Sequence, residues 1–255
     1  MMMLKWWWLP LFNLKNKNQT LTIFPISDVH VGSPQFNKEY YEYMLQKFEQ
    51  TSGEKIIYLL GDLCDCARKN LANSAYHQVM SPNEQIEYII KTLKPYKKYI
   101  KGAVTGNHEA RFLKEFDLDL TAILCNALDI PYHNQIYETL SINDKPYTVW
   151  AAHGSKNSAQ LHLMLGQFQR QTSHVNANLY LMGHCHKGAS MSQLEQSSNG
   201  FVRKHYVLTG SFLDYENSYA EGMLLKPQLP CFSKISVDKN LRTTVDLYNV
   251  DEVLV

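Results

Sequence analysis

Residues 20–30 read TLTIFPISDVH. Thr20 to Ile26 form an apolar, β-branched run that ends on Ser27, Asp28, Val29 and His30. A run of this length that stops on polar residues predicts a buried strand with its carboxyl end at a site. Asp28 and His30 are two apart, so an extended backbone aims both at one face and Val29 at the other. A carboxylate and an imidazole aimed at one point supply half a metal site. Asp-x-His is common by chance; its weight here comes from four further segments that end in the same manner.

The second is KIIYLLGDLCD, residues 55–65, where an apolar strand from Ile56 to Leu60 is closed by Gly61, Asp62 and Asp65. Gly61 lets the backbone turn sharply, so that Asp62 faces the site. The third is KGAVTGNHEARF, residues 101–112, a short strand that ends in Gly106 and continues into Asn107, His108 and Glu109. The fourth closes QIYETLSINDKPYTVWAAH, residues 135–153, where two alternating strands flank a turn at Asn143-Asp144-Lys145. The fifth is the short strand Asn178 to Met182, followed by Gly183, His184, Cys185 and His186.

Helical patterns separate these strands. Asn37 to Gln50 carries Tyr40, Tyr41, Met44, Leu45 and Phe48 at spacings that make one apolar face. Residues 82–93 form a helix with Ser81 as N-cap and Pro82 at the first position. Asp119 to Leu128 is helical, and Asn157 to Thr172 is amphipathic with Leu161, Met164, Leu165 and Phe168 inward. Beyond residue 188 the chain reads as antiparallel strands, with a turn at residues 197–200 and strands over Phe201–Thr209 and Leu241–Val250. The fold class is therefore α/β: a two-sheet sandwich of mixed parallel and antiparallel strands, with polar residues at the strand ends where open α/β sheets bind ligands.

The 255 residues suffice for one large domain. A formal net charge of +1 creates no global basic field, which argues against tight non-specific DNA binding while leaving room for a local basic groove. The five cysteines are an odd number without a disulfide-framework spacing, so the thiols read as reduced and the compartment as cytoplasmic. The opening MMMLKWWWLPLF is too short to span a bilayer and lacks a small-residue cleavage site. Residues 1–19 are read as an N-terminal extension, with Trp6 to Trp8 packing on the domain, and residues 20–255 as a single domain. Oligomeric state is not specified, because the aromatic residues serve a core and an interface equally well.

Taken together, DVH (28–30), GDLCD (61–65), GNHE (106–109), AHG (152–154) and GHCH (183–186) resemble the calcineurin-like metallophosphoesterase superfamily, in its order and each after a predicted strand. The compact form, with HYVLTGSFLDY at 205–215, is similar to the small, uncapped members encoded by bacteriophages and other mobile elements. The resemblance implies an αββα sandwich holding two divalent ions, with Mn expected and Fe, Zn, Ni or Mg compatible. Asp28, His30 and His186 would hold the first ion, and Asn107, His153 and His184 the second, with Asp62 bridging. Two such cations at roughly 3.5–4 Å screen phosphoryl charge and lower the pKa of a bridging water. The implied reaction is direct attack of metal-bound hydroxide with no covalent enzyme intermediate.

His108 would sit beside the leaving-group oxygen, with Asp65 orienting it and raising its pKa. Asn107 and Arg111 would contact the phosphoryl group, although a helix-surface role suits Arg111 equally. Glu109 would support the ligands from behind. Cys185, on the opposite face of an extended segment from His184 and His186, would pack. His77, His133, His162, His174 and His205 are left outside the site.

The expected activity is a phosphodiesterase acting on DNA, RNA or a nucleotide, with a basic or aromatic rim drawn from Lys156, Arg170, Arg68, Lys69 and Tyr215. The alternative is a phosphomonoesterase, a protein or small-molecule phosphatase with Arg111 as clamp. GDLCDCA lacks the Arg that follows the second Asp in protein phosphatases, and AHGS replaces their double-glycine turn. A metal-binding scaffold without catalysis is the alternative from another class, and the complete motif set argues against it.

Overall fold

A computed structural model describes residues 12–13, 20–66, 78–155, 158–197, 200–216, 218–222, 224 and 226–253. In chain order the strands and helices begin with β1 (Phe12–Asn13), β2 (Leu21–Ile26), α1 (Lys38–Gln50), β3 (Glu54–Leu59), α2 (Pro82–Leu93) and β4 (Ile100–Val104). They continue through α3 (Asn107–Phe116), α4 (Leu120–Leu128), β5 (Tyr132–His133), β6 (Ile136–Ile142), β7 (Lys145–Ala152), α5 (Leu161–Gln171) and β8 (Leu179–Met182). The chain closes with β9 (Gly188–Ser197), β10 (Gly200–Ser211), α6 (Tyr219–Gly222), β11 (Cys231–Val237), β12 (Thr243–Asn249) and α7 (Val250–Val253).

The strands make two leaves. One runs β1-β6-β7-β8-β10, with β9 against β10; the other runs β11-β2-β3-β4-β5, with β12 against β11. The last residues of β10, Gly210 and Ser211, cross over to pair with β11 and join the leaves. Neighbours β2, β3, β4 and β5 are parallel, as are β7, β8 and β10. The β6–β7, β9–β10 and β11 pairings are antiparallel.

Three apolar clusters explain the layering. Leu21, Ile23, Ile56 and Tyr58 meet Leu140, Tyr147, Val149, Leu179 and Leu181 between the leaves. Their alternates in β2 and β3, namely Phe24, Ile26, Ile57 and Leu59, turn outward under Tyr40, Met44, Ile89 and Leu124 of the helices. On the outside of the other leaf, Trp150, Tyr180 and Tyr206 pack with Met164 and Phe168 of α5. A strand buried on both faces needs an apolar run, which β2 shows from Ile23 to Ile26 and β3 from Ile56 to Leu59.

The local readings hold closely. Asn37 caps α1, whose buried residues are the five expected ones. Ser81 forms a full capping box with Glu84 ahead of α2. Helix α5 is shorter than expected: it starts at Leu161, which is exposed, and only Met164 and Phe168 are fully buried. Asn157 lies outside the described residues, as do Trp6 to Trp8; Phe12 and Asn13 pair with Leu140 and Ser141 at the sheet edge. Among the described residues no helix is long and apolar enough to cross a membrane.

Candidate metal centre

The carboxyl ends of β2, β3, β4, β7 and β8 meet at one end of the sandwich. The loops after β2 and β3 run side by side: Asp28, His30 and Val31 donate their N–H groups to Gly61 O, Asp62 O and Leu63 O, each at 3.0 Å. These segments are not extended, which corrects the reading of DVH and GHCH. Asp28 (φ 52°), His30 (φ 53°), Asp62 (φ 50°), His184 (φ 70°) and His186 (φ 54°) all occupy the left-handed region. The side chains still converge, because each left-handed residue turns the chain back toward the same point. Such residues cost roughly 1–3 kcal/mol each and persist where surrounding contacts over-determine them. Here the carboxylates themselves hold the loops: both Asp28 oxygens accept from His184 N, at 3.1 and 2.9 Å, and Asp62 Oδ1 accepts from His108 N at 2.8 Å. Cys185 is buried in the α5 cluster and packs as expected.

Glu109 joins the loops after β3 and β4. Its carboxylate is buried, and Oε2 accepts from Asp62 N (3.0 Å) and Gly106 N (3.1 Å). Oε1 accepts from Leu63 N (2.8 Å) and Cys64 N (3.0 Å). The backbones touch here: a Cβ on Gly61, itself at φ +81°, would lie 2.4 Å from Gly106 N. Burial and the Asp62 charge push Glu109 up to about 6, against the pull of its N–H donors, so it is ionised at neutral pH.

Two groups of side chains face one another. Asp28, His30 and His186 form the first: His186 Nε2 lies 3.3 Å from Asp28 Oδ1 and 3.1 Å from His30 Nε2. Asp62, His153 and His184 form the second, and Asn107 joins it. Asn107 Oδ1 lies 3.0 Å from His153 Nε2 and 2.7 Å from His184 Nδ1. Asp62 Oδ2 sits between the groups, 3.9 Å from His30 Nε2 and 3.1 Å from His153 Nε2. All seven residues expected to hold metal are thus brought together. His133, His162, His174 and His205 join no such group among the described residues, and His77 lies outside them.

The donor set fits divalent cations. His153 gives its Nδ1–H to Leu60 O at 2.8 Å, and His30 gives its Nδ1–H to Asp65 Oδ1 at 3.0 Å. Each neutral ring then turns its Nε2 lone pair toward carboxylate oxygens. Lone pairs that converge on buried Asp28 (0% exposed) and Asp62 (1%) require protons or cations between them. Without cations the imidazoles take the protons. Burial alone would lower His30 and His153, but the hydrogen bonds to Asp65 and Asp62 respectively, and the surrounding carboxylates, raise both to about 9. Burial would raise Asp62, and His153 and its neighbours instead hold it well below the usual carboxylate range.

Asp65 meets His108 through its main chain rather than, as expected, through its carboxylate. Its carboxylate bonds His30, and Oδ1 is 3.6 Å from His108 Nδ1; the His108 ring instead donates to the Asp65 main-chain carbonyl. His108 is not raised either: burial, then the charge of His30, lower it to about 4. Arg111 donates from Nε to Asn107 O at 3.2 Å, while its buried Nη2 has no hydrogen-bond partner.

Of the rim candidates, Arg68, Lys69 and Lys156 lie outside the described residues. Tyr215 is half-buried beyond β10. Arg170 is placed wrongly by the sequence reading: α5 connects two parallel strands, so it runs back from the site, and Arg170 stands exposed in its last turn. Gln78, which donates to Asp65 Oδ2, and Gln85 behind it were missed. The available signal was Gln85 itself, a polar residue on the apolar face of α2 beside Ile86, Ile89 and Leu93.

A model of the calcineurin-like phosphoesterases matches residues 21–200. The chain belongs to this family. A search of the curated proteins finds no match. Among solved structures, this calcineurin-like phosphoesterase is similar to a conserved uncharacterized protein of Streptococcus pneumoniae, a predicted phosphoesterase, with 13% identity, 91% of each chain covered and a TM-score of 0.45. It is also similar to a single mutant of Vps29 from Entamoeba histolytica, at 14% identity over 89% of this chain and 99% of that one, TM-score 0.42. A third similar structure is a protein serine/threonine phosphatase from Saccharomyces cerevisiae, at 13% identity over 94% and 82% of the two chains, TM-score 0.40.

Two outcomes follow for this phosphoesterase. Glu109→Gln turns an amide NH₂ toward two buried N–H donors, and urea unfolding should show a loss of about 2–6 kcal/mol, from roughly 1–3 per orphaned donor. Metal uptake must displace the protons that His30 and His153 hold up to about 9. Zn²⁺ affinity should therefore rise from pH 6 to pH 9 and flatten above, and calorimetry in two buffers should register proton release.

Proposed function

We propose that the protein is a two-metal phosphodiesterase acting on nucleic acid or a nucleotide, with Mn²⁺ as the native metal. The observation that carries this reading is the position of Asp62 Oδ2, an anionic oxygen between two groups of three further ligands each. Asp28, His30 and His186 would hold one ion, Asn107, His153 and His184 the other, and Asp62 both. When bound, such a pair polarises the phosphoryl group and lowers the pKa of water.

The chain's own groups then divide the remaining work. His108 keeps its Nδ1–H on the Asp65 carbonyl, so Nε2 is the atom that faces the site, 4.0 Å from Asp62 Oδ2. An arriving phosphoryl anion raises the proton affinity of this ring, so that Nε2 takes a proton from solvent and passes it to the leaving oxygen. Asn107 turns its oxygen toward the same point as His153 and His184, which leaves its amide N–H groups for a phosphoryl oxygen. Arg111 Nη2, buried and without a partner, supplies a further donor.

The diester reading draws on openness: the side chain of His186 is 34% exposed and that of His108 21%. A diester needs room for groups on both sides of the phosphorus. The phosphomonoesterase reading draws on Arg111, whose unused donor suits a dianion. The five free, buried thiols fit a reducing compartment such as the cytoplasm. A single catalytic domain over residues 20–255 accommodates the whole site.

Hydrolysis of bis-p-nitrophenyl phosphate and p-nitrophenyl phosphate with added Mn²⁺ tests this. The diester should be the better substrate, and His108→Ala should lower its kcat/KM by about 10²–10⁴. Asp62→Asn should abolish measurable turnover. Preference for the monoester would move the assignment to a phosphatase; full activity of Asp62→Asn would overturn the site.

A further inference from the structure

Asp65 is itself held in place by a chain of amides. Gln78 Nε2 donates to Asp65 Oδ2 at 2.5 Å. Gln85 Nε2 donates to Gln78 Oε1 at 2.7 Å and to Met80 O at 2.9 Å. Gln85 Oε1 accepts from Cys66 N at 3.0 Å. Gln85 is completely buried (0% exposed) with both of its amide hydrogens and its oxygen engaged. The loop after β2 is shaped around it: a Cβ on Gly32 would lie 2.2 Å from Gln85 Nε2, and Gly32 O accepts from Val79 N at 3.0 Å.

The polarity of this chain is forced. A backbone N–H only donates, so the Gln85 group facing Cys66 must be the oxygen. Its NH₂ therefore faces Gln78, which must present oxygen there. The Gln78 NH₂ is then left to donate to Asp65 Oδ2. With that oxygen occupied, Oδ1 is the acceptor for His30 Nδ1–H, and the same residue's carbonyl takes His108 Nδ1–H. Both rings thus carry the proton on Nδ1 and turn Nε2 inward.

We propose that Gln78 and Gln85 are positioning residues: a one-way amide relay that orients Asp65, whose carboxylate and carbonyl in turn set the tautomers of His30 and His108. As a contribution to hydrolysis this rests on the phosphoesterase reading of the site; as a statement about the two imidazoles it does not. The relay begins at a backbone N–H, which cannot change its donor role. A substitution that removes the Gln78 donor frees Asp65 to rotate, and with it the rings on both sides.

Imidazole ¹⁵N correlation spectra of the full chain, metal-free and Zn²⁺-loaded, supply the readout independent of activity. The unaltered protein should show protonated, slowly exchanging Nδ1 for His30, His108 and His153. Gln78→Ala and the near-isosteric Gln78→Glu should lose or broaden the His30 and His108 signals. His153, which donates to Leu60 O outside the relay, should keep its own and so report an intact fold. In diester hydrolysis Gln78→Ala should lower kcat about 10–100-fold, the range for groups that orient metal ligands, with KM little changed. In an Asp65→Ala background the same substitution should have almost no further effect. Unchanged His30 and His108 signals in Gln78→Ala, or an undiminished loss of kcat in the Asp65→Ala background, would overturn the relay. If the unaltered protein hydrolyses neither ester, the phosphoesterase reading fails, and the spectra still decide the relay.

Discussion

The site depends on one buried carboxylate bonded to backbone N–H groups. Glu109 gathers four backbone N–H groups, from Asp62, Leu63, Cys64 and Gly106, and so locks the loop after β3 to the start of α3. Asp62 lies on one side of that lock; Asn107 and His108 lie on the other. A neutral acceptor of the same size could not satisfy donors at both oxygens. The close approach of Gly61 and Gly106 follows from the same contact, since a side chain at Gly106 would collide with Asp62 N and Oδ1, both at 2.1 Å. The position between the two groups of ligands is therefore set by backbone held to backbone, rather than by the ligands alone.

The two leaves contribute unequally to the centre, and their mutual packing fixes it. Asp28, His30, Asp62 and Asn107 come from the leaf of β2, β3 and β4. His153, His184 and His186 follow β7 and β8 in the other leaf. Polar contacts cross the seam: His153 Nδ1–H reaches Leu60 O, and Ser27 Oγ meets Thr209 Oγ1 at 2.6 Å, beyond the apolar layer of Ile23, Tyr58, Val149 and Leu181. Buried carboxylates facing imidazole lone pairs, on left-handed backbone, are a costly arrangement for a chain on its own. It is the arrangement expected where bound cations return that cost as affinity.

Much of this was readable in the chain, for identifiable reasons. Strands buried on both faces leave long apolar runs, so β2, β3 and their polar ends stood out. Helix α1 showed its five buried residues through spacing alone. The candidate ligand set came from the resemblance that motif order carries, which does not require knowing backbone conformation. What failed depended on conformation. Alternation along DVH and GHCH presumes extended backbone, and the tolerance of Asp and His for left-handed φ is too weak a preference to mark single positions. The partner of the Asp65 carboxylate could not be told apart, because His30 and His108 are both within reach and only the fold decides which nitrogen takes the side chain and which the carbonyl. Arg170 looked like a rim cation until the direction of α5 placed it at the far end. Gln85 was hidden inside a helix whose apolar pattern was complete without it.

In the proposed enzyme each of the two groups holds a cation, with Asp62 between them. Anomalous diffraction at the Mn edge from crystals grown with Mn²⁺ tests it most directly. Two peaks are expected, one bordered by Asp28, His30 and His186 and the other by Asn107, His153 and His184, with an Asp62 oxygen touching both. A single peak away from Asp62, or none at a Mn²⁺ concentration that saturates binding in solution, would contradict it.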